Sequence, residues 1–245
     1  MSRQDQRRSL LLALGAFALI LIIWQVPALS GILAPFRYFV TTIHELGHGI
    51  AALLSGGHFI QYEVYASGAG VATTAGGSRW LVLPAGYVGT ALFGAALLYA
   101  ANRTRRPQIV TGVLGVIFLL LTVFFARGLT AILAGLVTAA ILSLLTWKGP
   151  RLLNTFLLNM LAMLTGLHAV LDLWGLVSNP GAGVIGPAGH TPNDAYAMAQ
   201  AAGFIPAVGW ALLWTLTALV LLGLAGYTTF WQPFRNGAKE PQSTP

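Results

Sequence analysis

The residues of this chain that could do chemistry are concentrated in one stretch, His44-Glu45-Leu46-Gly47-His48. On a helix, His44 and His48 share a face because they are four residues apart, so both imidazoles can bind one metal ion. Glu45 stays close enough to that ion to act as general base on a water molecule, the arrangement of zinc-dependent hydrolases. The pattern therefore predicts Zn²⁺ ligands at His44 and His48 and a catalytic role for Glu45.

The setting of this motif strengthens the prediction. It lies inside an apolar run from Ile32 to Leu54. An ionisable side chain at the centre of a membrane helix costs about 2.5–3.5 kcal/mol on insertion scales, so three of them within five residues need a function. A polar cluster that joins neighbouring helices is the alternative, but membrane helices mostly use Ser, Thr or Asn for that purpose. We therefore favour a metal site.

The composition indicates the class of protein. Of the 245 residues, 56% are hydrophobic and 8% are charged, against about 25% charged residues in a typical soluble domain. This predicts a multi-pass integral membrane protein in contact with the lipid bilayer. The net charge of +7 comes from basic residues scattered between apolar runs, so we expect no nucleic-acid partner. The chain has no cysteine, which excludes disulfides and thiolate ligands.

The apolar runs predict an all-α polytopic membrane protein formed as a single domain over residues 1–245. We expect about seven transmembrane helices, at residues 9–29, 32–54, 81–101, 108–126, 129–147, 152–177 and 206–226. The first could instead be a cleaved signal peptide, because Ala28-Leu29-Ser30 resembles a cleavage site, but its length favours a retained helix. Basic residues are divided between both sides, so the sequence does not set the membrane orientation.

The segments between the helices carry further signals. Residues 58–76 are rich in β-branched and aromatic residues around a Gly-containing turn, which predicts a membrane-associated β-hairpin after the motif helix. Residues 178–205 are predicted to be a loop, and residues 227–245 a flexible tail. Gly86, Thr90 and Gly94 form a stripe of small residues that lets another helix approach closely. Asn159 is expected to make a hydrogen bond between helices.

Two histidines leave a zinc site short of a third protein ligand, and the chain has only six acidic residues. Asp172 lies within the predicted span 152–177, where an unpaired carboxylate would be costly, and we favour it as the third ligand. Asp194 is the alternative, although a turn or a helix N-cap would also explain it. Glu63 is more simply explained by a solvated face of the hairpin.

His168 stands one helical turn before Asp172. It could hydrogen-bond that carboxylate or stabilise charge on a substrate. It could equally be a packed histidine near the membrane interface, and the residues alone leave these roles open.

The motif within a membrane span, followed by Gly56-Gly57, a hairpin and a later intramembrane aspartate, resembles the site-2 protease family of intramembrane zinc metalloproteases. The compact chain looks like the divergent, mostly bacterial branch of that family. The resemblance implies that His44 and His48 bind zinc, that Glu45 activates water, and that Leu171-Asp172 supplies the third ligand. The family's Leu-Asp-Gly reads Leu-Asp-Leu here.

This resemblance implies an endopeptidase that cleaves membrane-protein or peptide substrates in the bacterial plasma membrane. The hairpin, residues 59–74, would align an unwound substrate along an edge strand. The alternative is a non-proteolytic polytopic membrane protein, such as a transporter or a metal-binding assembly factor, that retains a metal site. A transporter would be expected to show internal repeats, and the sequence shows none. The oligomeric state is not set by the sequence.

Overall fold

A computed structural model describes the backbone of residues 3–25, 31, 33–178, 183–186 and 189–232. Within these ranges it describes the side chains of residues 7–8, 10–20, 22, 31, 33–168, 170 and 193–232. The helices are α1 (Arg3–Gln25), α2 (Ala34–Leu54), α3 (Arg79–Arg103), α4 (Pro107–Phe125), α5 (Leu129–Lys148), α6 (Arg151–Ser178), α7 (Asp194–Ala202) and α8 (Ala207–Gly226). The strands are β1 (His58–Val64), β2 (Gly70–Ala75), β3 (Ala126–Arg127), β4 (Gly183–Gly186) and β5 (Gly189–Pro192).

Four helices in the described part of the chain are long and apolar enough to cross a membrane: α3, α4, α5, and α8 together with its extension to Trp231. They confirm the predicted class, a mainly helical integral membrane protein, and four of its predicted spans. The total of about seven is not confirmed. Helices α1, α2 and α6 occur near their predicted positions, but α2 contains the polar motif, and the apolar stretch described in α1, Leu10–Ile20, is shorter than a span.

Helix α3 is the central element of the fold, because it packs against α2, α6 and α8. A Cβ atom at Gly94 would lie 2.8 Å from the carbonyl oxygen of Ala162 and 2.9 Å from the backbone nitrogen of Gly166, so glycine is required where α3 meets α6. The predicted close approach along this stripe is therefore confirmed. Farther along, Asn102 Nδ2 donates to Asn159 Oδ1 at 2.7 Å, which confirms the predicted hydrogen bond between helices.

The predicted hairpin is confirmed and forms part of a larger sheet. Strands β1 and β2 pair antiparallel, and β3 pairs parallel with β1, giving the order β2-β1-β3. The sequence did not predict β3, because two residues between two apolar helices carry no alternating pattern. The inner face of β1, formed by Phe59, Tyr62 and Val64, packs on Leu121 and Ala126. This packing fixes the hairpin beside α2, and within the described part of the chain β2 is a free edge of the sheet.

Two other segments differ from expectation. Residues 178–205 were predicted to be a loop, but they include the antiparallel pair β4–β5 and the helix α7. The predicted loose tail begins with a π-helical turn, Tyr227–Trp231, that continues α8, because its first residues are as apolar and aromatic as the helix before them. Residues 233–245 lie outside the described part of the chain.

Candidate metal centre

The predicted motif occupies the middle of α2 and presents both histidines on one face. The rings of His44 and His48 stand edge to face with centroids 4.8 Å apart. His48 Nδ1 lies 2.7 Å from the backbone carbonyl oxygen of Val82 on α3. A carbonyl only accepts hydrogen bonds, so Nδ1 carries a proton and Nε2 is the ring atom that faces the place of a metal. Helix α3 thus sets both the tautomer and the orientation of this ring.

The third side chain here with an atom able to bind a metal is that of Asp194. Its Oδ2 atom lies 3.1 Å from His44 Nε2 and 3.3 Å from His48 Nε2. Ligand atoms of the three residues all lie within 4.8 Å of one another. Asp194 is the first residue of α7, and the side chain of Asn193 caps that helix by accepting a hydrogen bond from the backbone N–H of Tyr196 at 2.8 Å. The cap fixes the start of α7 and therefore the direction in which Asp194 points.

This donor set fits a catalytic zinc ion. Bonds of about 2.0–2.1 Å in a tetrahedron place neighbouring donor atoms roughly 3.3 Å apart. The separations of 3.1 and 3.3 Å from Asp194 to the two histidines match that spacing. Two imidazole nitrogens and one carboxylate oxygen leave one of four positions for water or substrate, as catalytic zinc sites require. The chain has no cysteine, which excludes the thiolate sets of most structural zinc sites.

The charge state of Asp194 also suits a ligand. Burial alone would raise the pKa of its carboxyl. The charge of His48 and the hydrogen bonds from both histidines outweigh burial and hold this pKa well below its usual range. Asp194 is therefore ionised when the imidazoles beside it are protonated, and metal binding would displace those protons from the Nε2 atoms.

The carboxylate of Glu45 lies beside this cluster and is almost fully buried, with 4% of the residue exposed. It faces the edge strand β2: a Cβ atom at Gly70 would lie 2.6 Å from Glu45 Oε1. The backbone amide of Ala72, also on β2, interacts with the same carboxylate. Glycine at position 70 thus lets β2 approach closely enough to hold the Glu45 carboxylate in one position.

The glycines of α2 and α3 make room for the cluster. A Cβ atom at Gly86 would lie 2.6 Å from His48 Nε2 and in still closer contact with His44 Nε2. A Cβ atom at Gly47 would collide with the backbone carbonyl of Ala85. Side chains at either position would push the two helices apart, so both glycines are needed to hold the histidines against α3.

Aromatic packing completes the surroundings of the histidines. The ring of Tyr87 meets His44 edge to face with centroids 4.6 Å apart, and Tyr87 stacks in turn on Trp214 of α8 at 6.2 Å. The site opens into a cavity of about 490 Å³ that Glu45, both histidines and Asp194 line together. His168 of α6 also lines this cavity, so the structure brings it to the site without deciding between the roles considered for it.

The structure thus brings together His44, Glu45, His48 and the alternative acid Asp194. The side chain of the favoured acid, Asp172, lies outside the described residues, so its predicted role as ligand stays a prediction. Glu63 is absent from the described lining of the cavity, in keeping with its predicted place on the hairpin. Sequence reasoning missed the role of Gly86, although the small-residue stripe that contains it was the signal.

Comparison with known proteins places this arrangement in a family. No curated protein and no solved structure matches the chain. A family model described as Peptidase M50B-like matches residues 5–225, a range that contains the whole metal centre. Since this match covers most of the sequence, the chain belongs to the Peptidase M50B-like family, which confirms its predicted membership of the site-2 protease family.

Proposed function

We propose that this protein is a zinc-dependent endopeptidase that hydrolyses peptide bonds of membrane proteins within or close to the membrane. The observation that carries the proposal is the convergence of His44, His48 and Asp194 beside the buried carboxylate of Glu45. Membership of a metallopeptidase family and four membrane-spanning helices support it. We expect the bacterial plasma membrane as its location, in line with the branch that the sequence resembles.

His44, His48 and Asp194 would hold the zinc ion. We assign the third position to Asp194 because its Oδ2 atom faces the Nε2 atoms of both histidines. When bound, zinc supplies a Lewis acid that polarises a peptide carbonyl and lowers the pKa of water toward about 7. Val82 and Tyr87 position the two rings, His48 through its Nδ1 hydrogen bond and His44 through edge-to-face packing.

Glu45 acts as the general base and then as the general acid. It follows His44 directly in α2 and opens into the same cavity as the ligands. Its carboxylate accepts a proton from the attacking water and passes that proton to the nitrogen of the leaving amine, so one residue serves both halves of the hydrolysis. Contacts with β2 hold it in place, which reduces the reorganisation needed during the reaction.

The edge of β2 aligns the substrate. The backbone N–H of Tyr65 donates to the carbonyl of Ala69 beyond the end of the ladder, and the register then pairs Val64 with Gly70 and Tyr62 with Ala72. Backbone groups at alternate residues of an antiparallel ladder point away from the partner strand. The backbone groups of Tyr62 that point away from β2 pair with β3. Ala72, opposite Tyr62, therefore directs its own backbone N–H and C=O toward the free edge of β2, near Glu45.

A peptide in extended form can add to this free edge through main-chain hydrogen bonds. The geometry also explains why unwinding is required. A transmembrane helix uses its own backbone carbonyls in internal hydrogen bonds, whereas an added strand presents them to the site. The hairpin therefore supplies both alignment and a reason for the substrate to leave the helical state.

A transporter or metal-binding assembly factor is not favoured. Metal storage or transport needs ligands, but it has no use for a second, non-ligating carboxylate buried beside them. Glu45 is 4% exposed, and burial of a carboxylate is costly unless it has a function or a partner.

The test is the Glu45→Gln variant, purified in detergent and incubated with a transmembrane peptide library whose cleavage is read by mass spectrometry. We expect zinc content to stay at the wild-type level while cleavage falls by about 10²–10⁴-fold, the usual contribution of a general base. Glu63→Gln is the matched control, because that glutamate is on β1 and does not line the described cavity. Cleavage at the wild-type rate by the Glu45 variant with normal zinc would contradict the proposal.

A further inference from the structure

We propose that Arg37 is a specificity-determining residue that binds a carboxylate of the substrate three to four residues from the scissile bond. The inference rests on the proposed function, because it takes the cavity beside Glu45 as the place where a peptide is bound. It adds a chemical class to the substrate: a segment that carries an acidic side chain or its own C-terminal carboxylate at that distance.

Arg37 lies on the same face of α2 as the catalytic residues. The sequence places Arg37, Thr41, Glu45 and His48 four, four and three residues apart, which is the spacing of one helical face. All four line the same cavity. With a rise of 1.5 Å per residue, the backbone of Arg37 is ~12 Å along the helix axis from that of Glu45. The metal centre is therefore at one end of this face and Arg37 at the other.

The hairpin turn holds the Arg37 side chain at the cavity. A Cβ atom at Gly68 would lie 3.8 Å from both Cβ and Cδ of Arg37 and 3.9 Å from its Nε, so the arginine stem runs along this turn. Gly68 has φ of +91°, and its carbonyl accepts a hydrogen bond from Thr41 Oγ1 at 2.6 Å. The turn is thus fixed to α2 on one side and packs against Arg37 on the other. The exposed Arg37 is directed along the cavity wall by packing.

Arg37 forms no ion pair with another described residue, so its charge can pair with a ligand. Among the described residues, the ion pairs join only His44 and His48 to Asp194. Arg37 is the one lysine or arginine among the described residues that line the cavity. Its guanidinium can offer a carboxylate two parallel N–H donors, the strongest common geometry for that anion. A bound zinc ion would make the cavity more positive still, which favours a substrate with negative charge.

The distance selects the position of that charge in the substrate. A peptide added to the edge of β2 runs beside α2, and each extended residue covers about 3.3 Å. The ~12 Å between Glu45 and Arg37 then corresponds to three or four residues. An anionic lipid headgroup could also pair with an exposed arginine, but the fixed position of Arg37 on the cavity wall favours the peptide.

Binding measurements test this without requiring turnover. The Glu45→Gln protein, loaded with zinc and placed in nanodiscs of zwitterionic lipid, is titrated with fluorescent peptides by anisotropy. The peptides consist of an apolar segment and an extended flank that carries one Asp, Asn or Lys, scanned along the flank. We expect Asp at one position to bind about fivefold more tightly than Asn, the upper range for an exposed ion pair. Amidated and free-acid peptides that end at that position show whether a C-terminal carboxylate serves as well.

Variants of Arg37 then assign the preference. Arg37→Gln, added to Glu45→Gln, should bind the Asp and Asn peptides equally, and Arg37→Glu should prefer the Lys peptide. Arg79→Gln is the matched control, because Arg79 is also exposed but does not line the described cavity, and it should keep the preference for Asp. Zinc content and the thermal unfolding midpoint should be unchanged in all of these proteins.

Several results would overturn the proposal. They are equal binding of the three peptides, including no binding at all; a preference for Asp that survives in Arg37→Gln; or an effect of Arg37→Gln that occurs only with anionic lipid. Cleavage of the neutral Asn peptide by the wild-type protein is measured separately. Failure of that cleavage would count against the proposed function, whereas the binding comparison alone decides the role of Arg37.

Discussion

Replacement of Gly86 by alanine is the most informative perturbation of the metal centre that leaves every ligand in place. The added Cβ atom would lie 2.6 Å from His48 Nε2 and closer to His44 Nε2, whereas ordinary van der Waals contact begins at 3.4 Å. Neither α3 nor α2 can yield easily, because Gly47 already touches the backbone of α3. One or both rings must therefore move by about 1 Å. A displacement of that size is enough to lower the rate of a catalysed reaction on the order of 10²-fold.

The expected effect on stability is small by comparison. Alanine is favoured over glycine in a helix by about 0.8–1.0 kcal/mol, while overpacking costs typically about 1–3 kcal/mol. These contributions oppose each other, so the free energy of unfolding without metal should change by no more than about 2 kcal/mol. Zinc affinity should fall by about 10–100-fold, as when groups that orient metal ligands are disturbed. The variant should thus fold and span the membrane but fail to hold zinc against a competing chelator.

The assay is competition for zinc between purified protein and a chromophoric chelator, together with thermal unfolding of the metal-free protein. Gly89→Ala is the matched control on the same helix, since its Cβ atom would meet the Cα of Gly47 at an ordinary 3.6 Å. That variant should bind zinc as the wild type does. Wild-type zinc affinity in Gly86→Ala would refute the packing of the histidines against α3 on which the site is built.

Two further predictions concern the hairpin and the metal. Thr41→Val removes the hydrogen bond to the Gly68 carbonyl, a net loss of about 0.5–1.5 kcal/mol, so amide hydrogen exchange in the turn should accelerate while zinc content is unchanged. Thr217→Val is its control, because Thr217 donates to the Leu213 carbonyl of its own helix, α8, and equal exchange in both variants would count against the anchoring of the turn. Removal of zinc by a chelator should lower the thermal midpoint of the wild type, since zinc at a hundred times its Kd stabilises the folded state by about 2.7 kcal/mol. His48→Ala should show no such shift, and an equal shift in both proteins would mean that the stabilising metal binds elsewhere.

Much of this fold follows from local sequence patterns. The helix that carries the motif, the turn after it at Gly56 with φ of +82°, and the hairpin that follows each depend on residues close together in the chain. The same holds for the long apolar runs of α3, α4, α5 and α8, whose composition alone requires burial in lipid or protein. The count of spans was less predictable, because an apolar run does not show whether its helix crosses a bilayer.

The acid that we propose as the third metal ligand could not be predicted in this way. Asp194 is 150 residues from His44 in the chain, and it reaches the site because α7 packs between α3 and α8. The cost of a carboxylate in lipid favoured Asp172, an argument that considers depth in the membrane but not the path of the chain. The cavity is lined by Asn193, Asp194 and Ala197 of this region as well as by α2, so a residue at the start of a short helix outside the spans can serve as well. Only the Asn-Asp pair before an apolar helix hinted at a fixed position for Asp194.

The central claim is that one zinc ion is held by His44, His48 and Asp194. It is tested most directly by zinc stoichiometry and affinity in Asp194→Asn and Asp172→Asn, two substitutions of equal size and charge. We predict about one zinc per chain in the wild type and in Asp172→Asn, and an affinity at least about 10-fold lower in Asp194→Asn. Normal zinc binding by Asp194→Asn, together with its loss in Asp172→Asn, would contradict the account and place the third ligand on α6.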